Sequence, residues 1–167
     1  IPDSVTSIDS YAFFHCTKLT SITIPSSVTK FERSAFYRSG VLNIRNVHIS
    51  DLSAWYNIEF ESSDSNPLSG GNLYLNGGLI TNIEIPDTVT VINPYTFYGS
   101  RIQSVTIPKS VMAIGEGAFT YCTRNKLVIN NSSLEITKGA DSYGDIARYA
   151  NVVITEGKEE YIKAQLR

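Results

Sequence analysis

Histidine and cysteine each occur only twice in the chain. One of each stands in Ala12-Phe13-Phe14-His15-Cys16. That adjacency suits three kinds of chemistry: a metal ligand pair, a thiol nucleophile with its base, or half of a disulfide. A fourth reading is structural, with neither side chain reactive. Which applies depends on the elements that carry the pair.

Those elements repeat. IPDSVTSIDSYAFFHC aligns with IPSSVTKFERSAFYRS so that Ile1 and Ile24, Val5 and Val28, and Phe13 and Phe36 each lie 23 positions apart. Two further copies start at Ile85 (IPDTVTVINPYTFYGS) and Ile107 (IPKSVMAIGEGAFTYC). Self-similarity at this period marks a solenoid whose units bury their apolar sides against one another. Within a unit, LTSITIP alternates: Ile22 and Ile24 face inward, Ser21 and Thr23 outward, as in a short half-buried strand. Pro25 ends the strand because it lacks the N–H a ladder needs. Val28 and Phe31 supply a second apolar pair at the turn. Ala35-Phe36 then plugs the core from a tight helical or 3-10 segment on the opposite side.

The pattern L-x-x-I-x-I-P-x-S-V-x-x-I-x-x-x-A-F-x-x-C, carried here by LTSITIPSSVTKFERSAFYRS and IQSVTIPKSVMAIGEGAFTYC, resembles the BspA-like leucine-rich repeats. The resemblance implies a mostly β solenoid of the α/β type. It would be a right-handed curved array, with a parallel sheet on the concave face and short helical or 3-10 segments on the convex face. It also implies a secreted or surface protein of host-associated bacteria, with adhesion to host proteins in some members.

Ile24 and Ile85 are 61 positions apart, too far for two ordinary units. RNVHISDLSAWYNIEF supplies a strand with Val47 and Ile49 inward. A helical stretch follows, bearing Leu52, Trp55, Tyr56 and Phe60, with Ser50 or Asp51 as N-cap. LYLNGGLIT reads as a hairpin about Asn76-Gly77. The organisation expected is one domain over 1–167. Two regular repeats span 1–42, an elaborated repeat with helix and hairpin 43–84, two regular repeats 85–130, and a C-terminal cap 131–167. The cap comprises a short helix and a last strand, then a closing helix in KEEYIKAQLR that either ends the array or starts another domain. The opening IPDSVTSI reads as cut from something longer, with no signal peptide in the segment.

The repeat resolves the opening pair. The position three after each Phe holds Cys16, Ser39, Ser100 and Cys122, a slot for small, weakly polar side chains. Cys16 and Cys122 are four steps apart, roughly 19 Å at about 4.8 Å per step, beyond the reach of a disulfide. His15 shares its slot with Arg38, Gly99 and Tyr121, an exposed convex position. His48 lies in another unit on the opposite face, so the two cannot share a metal. DSNPLSGGNLYL begins like a calcium loop, but Leu68 stands where an oxygen ligand is needed and Leu75 where the closing acid belongs. GADSYG fails the nucleophile-elbow spacing, no phosphate-binding glycine motif occurs, and the N-x-S sequons at Asn130 and Asn131 matter only in a eukaryotic secretory setting. The expectation is no enzyme, no cofactor and no metal.

The net charge of −2 and pI near 5.7 carry no footprint for nucleic acid. No apolar run reaches the roughly 18 residues of a membrane helix. Stacking aligns the outward strand residues into columns: Thr23, His48, Glu84, Thr106 and Val128, and beside them Ser21, Asn46, Asn82, Ser104 and Lys126. These ten residues are the candidate concave binding face. Three functions fit. One is a monomeric extracellular or cell-surface module that binds a host matrix or surface protein. Another is a glycan-binding accessory module using Trp55 and the convex tyrosines Tyr37, Tyr98 and Tyr121. The third is a passive spacer.

Overall fold

The computed structural model describes residues 1–39 and 44–122, with the backbone of three later strands at 126–129, 135–136 and 151–154. In chain order the elements are β1 (Ser7–Ile8), β2 (Ser21–Ile24), β3 (Lys30–Phe31), β4 (Asn46–Ile49), α1 (Leu52–Tyr56) and β5 (Glu59–Phe60). A 3-10 helix, Ser63–Ser65, is followed by β6 (Asn72–Leu75), β7 (Gly78–Ile80), β8 (Asn82–Glu84) and β9 (Val91–Ile92). The last are β10 (Ser104–Ile107), β11 (Ala113–Ile114), β12 (Lys126–Ile129), β13 (Glu135–Ile136) and β14 (Asn151–Ile154). They form a β-solenoid of stacked parallel coils. The helices expected within 131–167 lie outside the described residues.

Each regular coil has three sides. The long strands make the first, and alternation decides their faces: Ile22, Ile24, Val47, Ile49, Val105 and Ile107 are buried, while their neighbours point outward. The second side is a parallel sheet of two-residue strands whose second residue enters the core: Ile8, Phe31, Phe60, Ile92 and Ile114. The Val28–Phe31 stretch, read from sequence as a turn, is therefore partly strand. A backbone already lined up by one ladder places the next segment within bonding reach of its neighbour.

The third side carries the Ala-Phe pairs and their Thr96-Phe97 counterpart. In the regular coils they close as turns, because a residue of positive φ stands at each end: Tyr11 (60°) and His15 (53°), Ser34 (59°) and Arg38 (57°), Tyr95 (60°) and Gly99 (65°), Gly117 (61°) and Tyr121 (59°). Left-handed residues four apart prevent helix propagation. Gly117 has a second reason to be glycine. A β-carbon there would come within 2.8 Å of the Tyr95 ring. Coil-to-coil main-chain bonds run along this side, as in Phe13 N–H to Ala35 O (2.8 Å) and Phe97 N–H to Ala118 O (2.9 Å). Beneath them the phenylalanines stack: Phe13 on Phe36 at 4.8 Å, Phe97 on Phe119 at 5.4 Å.

The elaborated coil departs from this plan. Asp51 caps α1 by accepting from Ser53 N–H at 2.8 Å, and α1 delivers Trp55 and Tyr56 into the core. Phe60, expected on the helix, lies instead on β5 and packs on Trp55 and Phe31. The hairpin forms as its Asn-Gly predicts, with φ of 50° at Asn76 and 83° at Gly77.

This coil also interrupts both sheets. The first side splits into β2-β4-β6-β7 and β8-β10-β12-β14, the second into β1-β3-β5 and β9-β11-β13. Across the resulting seam the third side supplies two main-chain bonds, Gly70 N–H to Gly99 O (2.8 Å) and Arg101 N–H to Gly71 O (3.1 Å). Two asparagines add to them. The Asn66 amide donates to Tyr95 O and Thr96 O at 2.6 and 3.0 Å, and its oxygen accepts from Leu68 N–H at 2.8 Å. Asn93 donates to Tyr56 O and Ile58 O at 3.3 and 3.2 Å.

Candidate functional site

The opening pair can be placed first. His15 is exposed in its left-handed turn position, and its N–H bonds Tyr37 O at 3.2 Å. The Cys16 thiol faces Phe14 O at 3.8 Å, and its N–H takes Ser39 Oγ at 2.9 Å. In a later coil the Cys122 thiol donates to Phe97 O at 2.8 Å and meets Ser100 Oγ at 3.3 Å. The slot thus serves coil-to-coil backbone and hydroxyl bonding, and both cysteines remain thiols. In the stretch that began like a calcium loop, the Asn66 side chain is spent on backbone groups, as described above.

The ten candidate residues do not form one ladder. Four lie on the sheet that β2 begins: Ser21 opposite Asn46, and Thr23 opposite His48. The other six lie on the sheet that β8 begins. There Asn82, Ser104 and Lys126 are in register, as are Glu84, Thr106 and Val128. The split follows from the hairpin, because β7 becomes the edge of one sheet and β8 the edge of the other.

On the first sheet the columns continue into residues that sequence reasoning missed. Asn46 is followed by Asn72, and His48 by Tyr74 and then, across the hairpin, by Leu79. His48 and Tyr74 stack with centroids 4.8 Å apart and ring planes 24° apart. Leu79 beside them is 52% exposed. Asn46 and Asn72 meet at 3.5 Å through their amides. The signal was present in NLYL, whose Asn and Tyr repeat the parity of Asn46 and His48. The single unit expected over 43–84 in fact contributes two stacked strands, β4 and β6, to this sheet. On the second sheet Ser104 Oγ donates to Asn82 Oδ1 at 2.6 Å, a polar face without an aromatic group among its described side chains.

The aromatic groups suggested for sugar stacking fare differently. Trp55 is 1% exposed and cannot offer a ring face to a ligand. Tyr37 and Tyr121 are surface residues, and Tyr98 packs edge-on against Tyr95 and Tyr121. A second exposed aromatic group, Tyr11, Phe14 and Tyr37, adorns the turn side, with the Arg38 guanidinium 5.5 Å from the Tyr37 ring.

Among the described residues no helix is long and apolar enough to cross a membrane. No curated protein and no solved structure matches the chain. A family model described as a BspA type leucine-rich repeat region matches residues 1–66 and 70–161, in six copies. Those copies cover the very coils whose strand, proline and Ala-Phe turn were built up above, and the chain belongs to the BspA type leucine-rich repeat family.

Proposed function

We propose that the chain is a non-catalytic, extracellular or cell-surface module that binds a protein ligand, in the manner of an adhesin, through the outward face of its long strands. The observation that carries this reading is the row Thr23–His48–Tyr74–Leu79. It brings two stacked aromatic rings and an exposed leucine together inside a rim of Ser21, Asn46 and Asn72. Binding energy concentrates where aromatic anchors are ringed by small polar groups. Glu84, Ser104, Thr106 and Lys126 of the second sheet would flank the contact and set its register. Family membership favours a protein partner, and a host matrix or surface protein is the first to test.

Surface plasmon resonance against fibronectin and fibrinogen provides the test. Tyr74→Ala and His48→Ala should each weaken binding about tenfold or more, as loss of an anchor does. Thr29→Ala, on an exposed position away from this face, should leave it unchanged. Binding that survives the His48→Ala/Tyr74→Ala double substitution would remove this face from consideration.

A further inference from the structure

The seam contains a cleft of 270 Å³, between the end of α1 and the segment leading into β9. Its polar lining is Ser53, Tyr56 and Asn57 from the first part of the molecule, and Thr88, Thr90 and Asn93 from the second. Val89 and Val91 provide a small apolar patch. Among the described residues no Asp, Glu, Lys, Arg or His lines it.

Most of the polar groups are uncommitted. The side chains of Ser53, Asn57, Thr88 and Thr90 make no hydrogen bond within the described protein. Tyr56 borders the cleft, but its hydroxyl is buried in the core without a hydrogen-bond partner and is out of a ligand's reach. Only the Asn93 amide is engaged, on Tyr56 O and Ile58 O. Elsewhere on this side of the solenoid a strand ladder closes the gap between coils. Between β5 and β9 none does.

We propose that this cleft is a binding site for a neutral monosaccharide, or a single neutral sugar unit of a longer glycan. Hydroxyls and amides that both donate and accept match the hydroxyls of a pyranose. The two valines suit the C–H face of the ring. An ionic ligand is disfavoured, because no side chain in the lining could balance its charge on desolvation. The volume is near the lower end of small-molecule sites, about 300 Å³, which suits a ligand of one ring. The site is separate from the outward strand face, and each can fail without the other.

Trp55, the only tryptophan in the chain, precedes Tyr56 in α1 and reports on the site without a label. Its fluorescence would be followed during titration with glucose, galactose, N-acetylglucosamine and glucuronate, with ligand-observed NMR in parallel. At least one of the three neutral sugars should give a saturable change with a Kd of about 1–10 mM, as expected of so small a ligand. Glucuronate should bind about tenfold more weakly or not at all. Thr90→Val and Ser53→Ala, both at exposed positions, should each weaken the sugar about threefold or more, and Tyr56→Phe, whose hydroxyl is buried away from the cleft, should not. No saturation by any neutral sugar up to about 50 mM in both measurements would overturn the proposal. So would sugar binding unchanged in the Ser53→Ala/Thr90→Val double variant.

Discussion

The regular coils and the elaborated coil solve the same stacking problem by different means. A regular coil is joined to its neighbour by main-chain ladders on all three sides, with the inward positions filled by Ile, Val and Phe. The elaborated coil joins its following neighbour by main chain on one side only. Asn66 and Asn93 replace part of what the missing ladders would provide, and Tyr56 packs edge-on against Phe97 at 5.8 Å beneath them. A ladder tolerates almost any outward residue because the backbone makes the bonds. A side-chain tie depends on one residue type. The seam is therefore where the array is most sensitive to single polar substitutions, and where it has room for a ligand.

Five substitutions put that contrast to the test. Phe36→Ala removes a ring packed between Phe13 and Phe31 and should cost about 3–5 kcal/mol, measured by denaturant unfolding. Asn66→Ala should follow at about 2–4 kcal/mol, since Leu68 N–H, Tyr95 O and Thr96 O each lose this partner. Asn93→Ala, with longer and less buried bonds, should cost about 1–2 kcal/mol. If both asparagine variants were as stable as the parent, the seam would be held by packing alone. Native-state hydrogen exchange should also show both variants opening first at amides of 58–60 and 91–93.

Tyr56→Phe tests the opposite sign. Burial pushes the Tyr56 hydroxyl pKa upward, so the group stays protonated and lacks a partner. Removing it should leave stability unchanged or raise it by up to about 1 kcal/mol. A clear loss would mean that the hydroxyl is satisfied in solution.

The smallest effect belongs to the laddered interface between β3 and β5, where a regular coil meets the elaborated one. Lys30 and Glu61 form an exposed ion pair at 2.6 Å. The hydrogen bond from Lys30 holds the Glu61 carboxyl below its ordinary value of 4.5. A depressed carboxyl pKa contributes stability above 4.5 that disappears as pH falls through the folded value. Glu61→Gln should therefore lower the thermal midpoint slightly at pH 7 and not at all near pH 3. An equal shift at both values would mean that packing, not charge, is at work.

Legibility from sequence followed the same division. The regular coils could be read because period and alternation are local: Ile22 and Ile24 inward, Pro25 as terminator, Phe36 as plug. The helix start at Ser50 or Asp51, of which the structure uses Asp51, and Asn76-Gly77 as hairpin turn were readable for the same reason. Two kinds of feature escaped. The two-residue strands of the second side are too short for alternation to declare itself, and only stacking creates them. The break at β7 and β8 escaped as well, since no single unit records which strand its neighbour will pair with. That break divided the ten-residue face in two and brought Tyr74 and Leu79 into line with His48.

What Ala12-Phe13-Phe14-His15-Cys16 means was determined by the sequence once its repeats were aligned. A slot filled in turn by Cys16, Ser39, Ser100 and Cys122 asks for size and weak polarity, and composition alone reveals that. The inward residues and the solvent exposure of His15 follow from the same periodicity, and the repeated motif carries the resemblance to the family. Only the tertiary structure decided which outward residues are neighbours and where the ladders stop. Register is a relation between coils, set by the hydrogen bonds and packing of the whole stack.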